Sequence, residues 1–216
     1  MGDRISGQHF LDTEGVEEWR VIWGGGWACA FFRTASYREA LTLVAAVGDL
    51  ATAADRRPDV DLRPDGVTVR LYSGEWDGLT TGDADLARQI SEAARSFGAE
   101  AEPGSVQHVQ VAIDAMVIPA VLPFWRAVLG YDEVGGEDLL DARRRGPSFW
   151  FQQMDAPRTE RGRIHVDVYV PHDEAGNRLA AAVAAGGRIV RDNGPEWWTL
   201  VDSEGNEADL AIWMAP

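Results

Sequence analysis

The chain is predicted to be an α+β protein in two parts. An N-terminal antiparallel sheet carries helices on one face, and a C-terminal pair of β-α-β-β-β repeats forms one curved sheet. Three observations predict this. Short segments alternate apolar and polar residues, stretches of period 3.6 lie between them, and the pattern of residues 106–154 recurs weakly over 163–213.

The elements follow in order. Glu17 to Trp23 and Trp27 to Arg33 are rich in aromatic and β-branched residues around Gly24-Gly25-Gly26, which reads as a hairpin. Ser36 with Glu39 forms a capping box, and Ala40, Leu43, Val44, Val47, Leu50 and Ala51 recur at helical spacing up to Ala54. Val67, Val69 and Leu71 alternate with Thr68, Arg70 and Tyr72 as a half-buried strand. Leu86, Ile90, Ala93 and Phe97 mark a second amphipathic helix that stops near Gly98. The periodicity lapses over the acidic segment from Ala99 to Ser105, where Pro103-Gly104 stands, so domains of 1–100 and 101–216 are expected.

In the first repeat, Val106 to Asp114 is a strand, Pro119 to Leu129 is a helix ending at Gly130, and short strands lead to Ser148–Met154. The second runs from a strand at Arg163–Val170 through a helix at Glu174–Ala185 to strands at Arg188–Arg191, Trp197–Val201 and Glu207–Trp213. Neither repeat can bury its sheet alone, so the two are expected to pair with helices outside and a cleft inside.

Composition narrows the function classes. The chain has 216 residues, 45% of them hydrophobic, and nine tryptophans, enough for a sizeable core. The formal net charge is −15, which argues against nucleic-acid and anionic-membrane partners, since both need a basic footprint. All twenty basic residues are arginine, so a lysine Schiff base is excluded. No apolar run reaches the roughly 18 residues of a spanning helix, and Met-Gly-Asp-Arg lacks the apolar core of a secretory signal; a cytoplasmic address is expected. Cys29, alone among apolar neighbours, reads as a buried thiol. His9, His172 and the run Arg143-Arg144-Arg145 read as solvated.

Asp55-Arg56-Arg57-Pro58-Asp59-Val60, the strand Val67–Leu71 and Asp77-Gly78-Leu79-Thr80 resemble the pterin-4a-carbinolamine dehydratases over about the first hundred residues. Members of that family carry His-His-Pro-Asp, then Thr-His, then Gly-Gly-Leu-Thr. The resemblance implies imidazoles that move protons while water leaves a hydroxylated tetrahydropterin. Here Arg56 and Arg57 hold the first two positions, and Gly74 follows Ser73 at the third. Guanidinium keeps its proton at physiological pH and cannot serve as a general base. It can grip a carboxylate, a phosphate or a planar ring, so Arg56 and Arg57 are candidate substrate contacts; the alternative is a solvated turn.

The duplicated unit, with Phe124-Trp125-Arg126-Ala127-Val128-Leu129-Gly130-Tyr131 and Asp202-Ser203-Glu204-Gly205-Asn206-Glu207, resembles the vicinal oxygen chelate superfamily of glyoxalases, dioxygenases and resistance proteins. As a whole the chain is similar to fusions of a dehydratase-like with a glyoxalase-like domain.

Strand parity decides which side chains meet. His108, Gln110, Ala112 and Asp114 share one face, as do His165, Asp167 and Tyr169, and Glu207, Asp209 and Ala211. The second resemblance implies metal ligands near the start of each repeat's first strand and four residues after the glycine of the Asp-x-x-Gly turn. These positions are His108, His165 and Asp209. Two imidazoles and a carboxylate suit Fe(II), with Mn, Ni or Zn as alternatives. Such a site polarises vicinal substrate oxygens or exposes them to dioxygen, with Glu207 or Asp167 transferring protons. Gln110, Trp150, Gln152, Tyr169 and Trp198 are candidate substrate contacts.

The leading expectation is therefore a lyase, isomerase or metal-dependent dioxygenase acting on a small molecule in the C-terminal cleft. Alternatives are a metal-free protein that sequesters a drug or metabolite, and a residual pterin dehydratase. A homo-oligomer is expected by analogy only.

Overall fold

A computed structural model describes residues 2–22, 26–73, 78–158, 160, 162 and 164–212. The expected hairpin turn at Gly24 and Gly25, the Gly74 position, and the strand ends at Arg163 and Trp213 lie outside the described residues. The chain divides into two compact units, Met1–His108 and Val109–Pro216.

In the first unit, β1 (Arg4–Ile5) and α1 (Gly7–Leu11) precede the hairpin strands β2 (Arg20–Ile22) and β3 (Trp27–Arg33). The helix α2 (Tyr37–Ala53), strands β4 (Asp59–Arg63), β5 (Gly66–Leu71) and β6 (Leu79–Thr80), helix α3 (Thr81–Ser96) and strand β7 (Glu100–Ala101) follow. The main sheet is antiparallel in the order β2-β3-β5-β4, with β7 added to β3, while β1 pairs with β6. Alternation along β3 and β5 sends Ala28, Ala30, Phe32, Val67, Val69 and Leu71 into a core shared with Leu43, Val47, Leu86 and Ile90 of the helices. Ser36 Oγ accepts from Glu39 N, and Glu39 Oε2 accepts in return from Ala35 N, which fixes where α2 begins. Its other end closes with Asp55 at φ 50° and Arg56 N bonded to Ala51 O.

Beyond α3, the acidic segment stays with this unit. Glu100 pairs with Arg33 across β7 and β3, Glu102 N donates to Phe31 O, and the Glu102 carboxylate accepts from Arg33 Nη2 at 2.7 Å.

In the second unit, β8 (Gln110–Ala115), α4 (Ile118–Leu129), β9 (Asp132–Val134), β10 (Asp138–Leu140) and β11 (Ser148–Gln153) form the first repeat. The second comprises β12 (Val166–Tyr169), α5 (Ala175–Ala184), β13 (Arg188–Asn193), β14 (Trp197–Val201) and β15 (Glu207–Ala211). Strand order is the same in both, β8-β11-β10-β9 and β12-β15-β14-β13, so in each repeat the last strand lies parallel to the first. Neither sheet is buried by its own repeat. Ile113, Phe124, Trp125, Phe149 and Phe151 of the first pack with Leu200, Ala208 and Leu210 of the second in one core. Burying each large apolar side chain contributes ~1.5–3 kcal/mol, which is why the duplication holds together as a unit.

Polar groups tie the repeats. Asp202 is almost fully buried; its carboxylate accepts from Trp125 Nε1 at 3.0 Å and from Glu204 N and Asn206 N at 2.9 Å each. Glu204 then reaches back to Met116 N at 2.6 Å and Val117 N at 2.7 Å, just before α4. The Asp-Ser-Glu-Gly-Asn turn is thus a clamp between repeats and a cap for a helix whose own N-cap residue, Val117, has no side-chain acceptor.

Candidate functional site

Asp209 lies in the middle of β15, with Asp167 beside it on β12 and Thr199 beside it on β14. Parity places Asp167 and Tyr169 with Asp209 and Ala211 on one face, while Val166, Val168, Ala208 and Leu210 turn to the core. His165, one residue before β12, brings Nε2 to 3.3 Å from Asp167 Oδ1 and 3.8 Å from Asp209 Oδ2. One ligand atom from each of these three residues lies within 4.8 Å of the others. Asp209 Oδ1 is buried and has no hydrogen-bond partner among the described residues, and the same holds for the hydroxyl of Thr199, fully buried on the neighbouring strand. An unpaired buried carboxylate oxygen is costly, so it marks a place where a cation or a donor is missing.

A cavity of about 390 Å³ opens beside this cluster, lined by Asp167, Tyr169, Glu196, Trp197 and Asp209 with Ala211 and Ile212. His165 and Glu207 instead line a second cavity of about 290 Å³, together with Asp114, Trp125 and Asn206. Glu207 is engaged by Arg191, whose Nη2 is 3.6 Å away.

Of the three expected ligands, the structure brings together His165 and Asp209, and the third group of the cluster is Asp167. His108 belongs to the first unit. Its ring meets Trp27 edge-on, with centroids 5.0 Å apart, and Arg70 lies over the same indole at 4.6 Å. Burial, and then the charge of Arg70, hold the His108 imidazole below its ordinary pKa. The strand begins only at Gln110, so parity did not govern His108; an aromatic neighbour did.

Trp198, expected at the cleft, packs toward the core, and Trp197 lines the cavity in its place. The register decides this, because Trp197 faces Ala211 while Trp198 faces core-directed Leu210. Tyr169 is where parity put it, 71% exposed at the cavity wall. Gln110, Trp150 and Gln152 share a face of the first repeat's sheet through the pairs Ser148↔Gln110, Trp150↔Ala112 and Gln152↔Asp114. Gln110 donates to Asp138, whose carboxyl burial and neighbouring Glu137 push above the usual range.

In the first unit, the two arginines part ways. Arg57 is exposed. Arg56 is mostly buried, donates to Thr80 Oγ1 at 3.0 Å and sets Nε 3.6 Å from Asp83 Oδ1. Asp83, only 1% exposed, also accepts from Ser73 Oγ, Thr80 N and Thr80 Oγ1 at 2.7 Å each. Gly82 leaves room for the guanidinium, since a Cβ there would collide with Arg56 Nη2. Arg56 therefore serves the start of α3 and is neither a solvated turn residue nor a free anion grip. Asp83 was missed in the sequence, although Thr80-x-x-Asp83 ahead of an apolar run signals a helix start.

Family comparisons agree with this division. The pterin 4 alpha carbinolamine dehydratase family matches residues 6–93, and a glyoxalase-like domain matches 110–211. A putative pterin-4-alpha-carbinolamine dehydratase of Halobacterium salinarum is 39% identical over 92 residues, 43% of this chain and 98% of that protein. The chain belongs to the pterin-4a-carbinolamine dehydratase family, joined to a glyoxalase-like domain. A putative dehydratase of the same name from Nocardia farcinica is 45% identical over 60 residues; there the chain spans 28% of its own length and 63% of the relative's. Among solved structures, a glyoxalase-related enzyme from Fulvimarina pelagi superposes with a TM-score of 0.40 at 17% identity, over 50% of this chain and 88% of that one. The dehydratase unit of this fusion carries Arg56 and Arg57 where the motif calls for imidazoles, and the glyoxalase-like domain carries the His165 cluster. No helix among the described residues is long and apolar enough to cross a membrane.

Proposed function

We propose that the chain is a small-molecule enzyme of the vicinal oxygen chelate type, a lyase, isomerase or dioxygenase, with its reactive centre at His165, Asp167 and Asp209. The observation that carries the reading is the convergence of one imidazole and two carboxylates, one of which also holds a buried oxygen with no hydrogen-bond partner among the described residues. This donor set fits a divalent ion, Fe(II) and Mn(II) before Zn(II) or Ni(II), because two hard oxygen ligands accompany a single nitrogen. Bound there, such an ion supplies Lewis-acid polarisation of vicinal substrate oxygens. The protein's own part is to hold the donors on two parallel strands, with Trp197 and Tyr169 forming walls for substrate. Glu207, oriented by Arg191 and lining the cavity that His165 also lines, is the candidate proton carrier. Asp167, expected to carry protons, is assigned instead as a ligand.

The first domain, with its motif imidazoles replaced and Arg56 committed to Asp83, is assigned a supporting role, as a scaffold and as a contact in a homo-oligomer. Elemental analysis of protein purified without chelators or a metal-binding tag tests the reading. About one Fe or Mn per chain, lost in His165→Ala, is expected. Protein that copurifies with no metal and takes up none on incubation with Mn(II) or Fe(II) would end it. Turnover of a 4a-hydroxytetrahydropterin faster than buffer would move the chemistry to the first unit.

A further inference from the structure

The cavity of about 290 Å³ that His165 and Glu207 line draws its walls from both repeats of the second unit, and a smaller one of about 180 Å³ adjoins it. The two share Asp114, Arg158 and Asn206 as lining residues. Asp114 stands on β8, where parity turns it away from core-directed Ile113, and Arg158 follows the end of β11. Opposite charges thus border the same space. Neither side chain forms a hydrogen bond or an ion pair with any described residue, so the two do not meet each other.

The other acids at this place are answered from within the protein. Glu204 accepts from Met116 N and Val117 N, and Arg191 Nη2 stands 3.6 Å from Glu207. Asn206 donates from Nδ2 to Asp202 at 2.8 Å, and its Oδ1 accepts from no described residue. One carboxylate, one guanidinium and one amide oxygen are left over. The wall around them is aliphatic, with Val111 and Ile113 of β8, Val166 of β12 and, beside it, Ile164. Ile164 is 84% exposed, more than any other large hydrophobic residue described, so an apolar ligand group that covers it takes that surface out of water.

Charge decides the ligand class. A simple anion gains from Arg158 and loses against Asp114, and a simple cation has the reverse balance. A molecule that carries both charges gains from both, and its carboxylate matches the fork of the guanidinium. The volume stands at the small end of ligand cavities, which begin at roughly 300 Å³, and suits a single amino acid.

We propose that this cavity binds a small zwitterion, an α-amino acid with an aliphatic side chain. Its carboxylate lies on Arg158, its ammonium group on Asp114 and Asn206 Oδ1, and its side chain against Ile164 and Val166. The site is separate from the wall of Trp197 and Tyr169, goes beyond the metal reading and does not need it. The bound molecule stands beside Glu207, the candidate proton carrier.

Calorimetry on the full chain in chelator tests this with three probes that share an isobutyl group: L-leucine, 4-methylpentanoate, which lacks the ammonium, and 3-methylbutylamine, which lacks the carboxylate. Leucine is expected to bind about tenfold or more tightly than either analogue. Arg158→Gln should bring leucine down to the level of the amine, and Asp114→Asn to that of the carboxylate. Both positions are exposed, so the variants keep the fold. No leucine binding at millimolar concentration, equal affinity for leucine and either analogue, or a preference unchanged in both variants overturns the proposal. A metal-free assay reads this cavity alone, so its failure and a failure of Mn(II) to bind at the His165 cluster are separate results.

Discussion

Asp167 and Asp209 stand in register across the parallel ladder of β12 and β15, and His165 sets its Nε2 within 4 Å of both carboxylates. Two acids fixed side by side repel each other unless a proton or a cation lies between them. In the metal-free protein, Asp209→Asn should therefore leave the melting temperature unchanged or raise it. In excess Mn(II) the order should reverse, because an ion at 100 times its Kd stabilises the parent by about 2.7 kcal/mol and the variant hardly at all. Thermal unfolding of both proteins in chelator and in Mn(II) checks this.

Arg56 and Arg57 are neighbours in sequence with unlike consequences. Removing Arg56 leaves the buried Asp83 without its ion-pair partner, and Arg56→Ala should cost about 2–3 kcal/mol in urea unfolding. Arg57 is exposed, and Arg57→Ala should change stability by less than about 0.5 kcal/mol. Equal effects would mean that the guanidinium at Arg56 does not hold the start of α3.

Glu204 caps α4 from the other repeat, so Glu204→Ala should lower stability by about 1 kcal/mol, and Glu204→Gln, which keeps one acceptor oxygen, by less. Hydrogen exchange localises the loss, with Met116 and Val117 amides the first to lose protection.

His108 links stability of the first unit to pH. Its imidazole is held below the ordinary value of 6.5 in the folded state, so both states carry it neutral above that value and it contributes nothing there. As pH falls through about 6.5 the unfolded chain takes up the proton first, and stability declines until the folded pKa is passed. His108→Gln should remove this part of the acid sensitivity while leaving stability at pH 8 nearly unchanged. A parent and variant with parallel stability profiles between pH 7 and 5 would contradict the assignment.

Much of this architecture was legible in the chain because its signals are local. Alternation and helical spacing locate β3, α2, β5, α3 and both repeats, and parity puts Asp167 with Tyr169, and Asp209 with Ala211, on one face of their own strands, which the register of β12 against β15 then sets side by side. Counting four residues from Gly205 reaches Asp209 because the turn that precedes β15 is short and closed by Asp202. What was not legible depends on partners far away in sequence. Arg56 is claimed by Asp83 through the fold of the first unit, and no local pattern distinguishes it from Arg57. Alternation makes Trp197 and Trp198 point oppositely, but only the register against β15 says which one meets the cavity. His108 precedes its strand, where side-chain direction no longer follows from counting, and the indole of Trp27 takes it. The acidic stretch before Pro103 loses its periodicity, yet pairing of Glu100 with Arg33 and the bonds of Glu102 keep it on the first sheet.

The most direct measurement is a calorimetric titration of Mn(II) into chelator-treated protein, run on the parent and on Asp209→Asn. One ion per chain is predicted for the parent, weakened by about tenfold or more in the variant. No binding to the parent, or equal binding to both, would contradict the placement of the reactive centre on His165, Asp167 and Asp209.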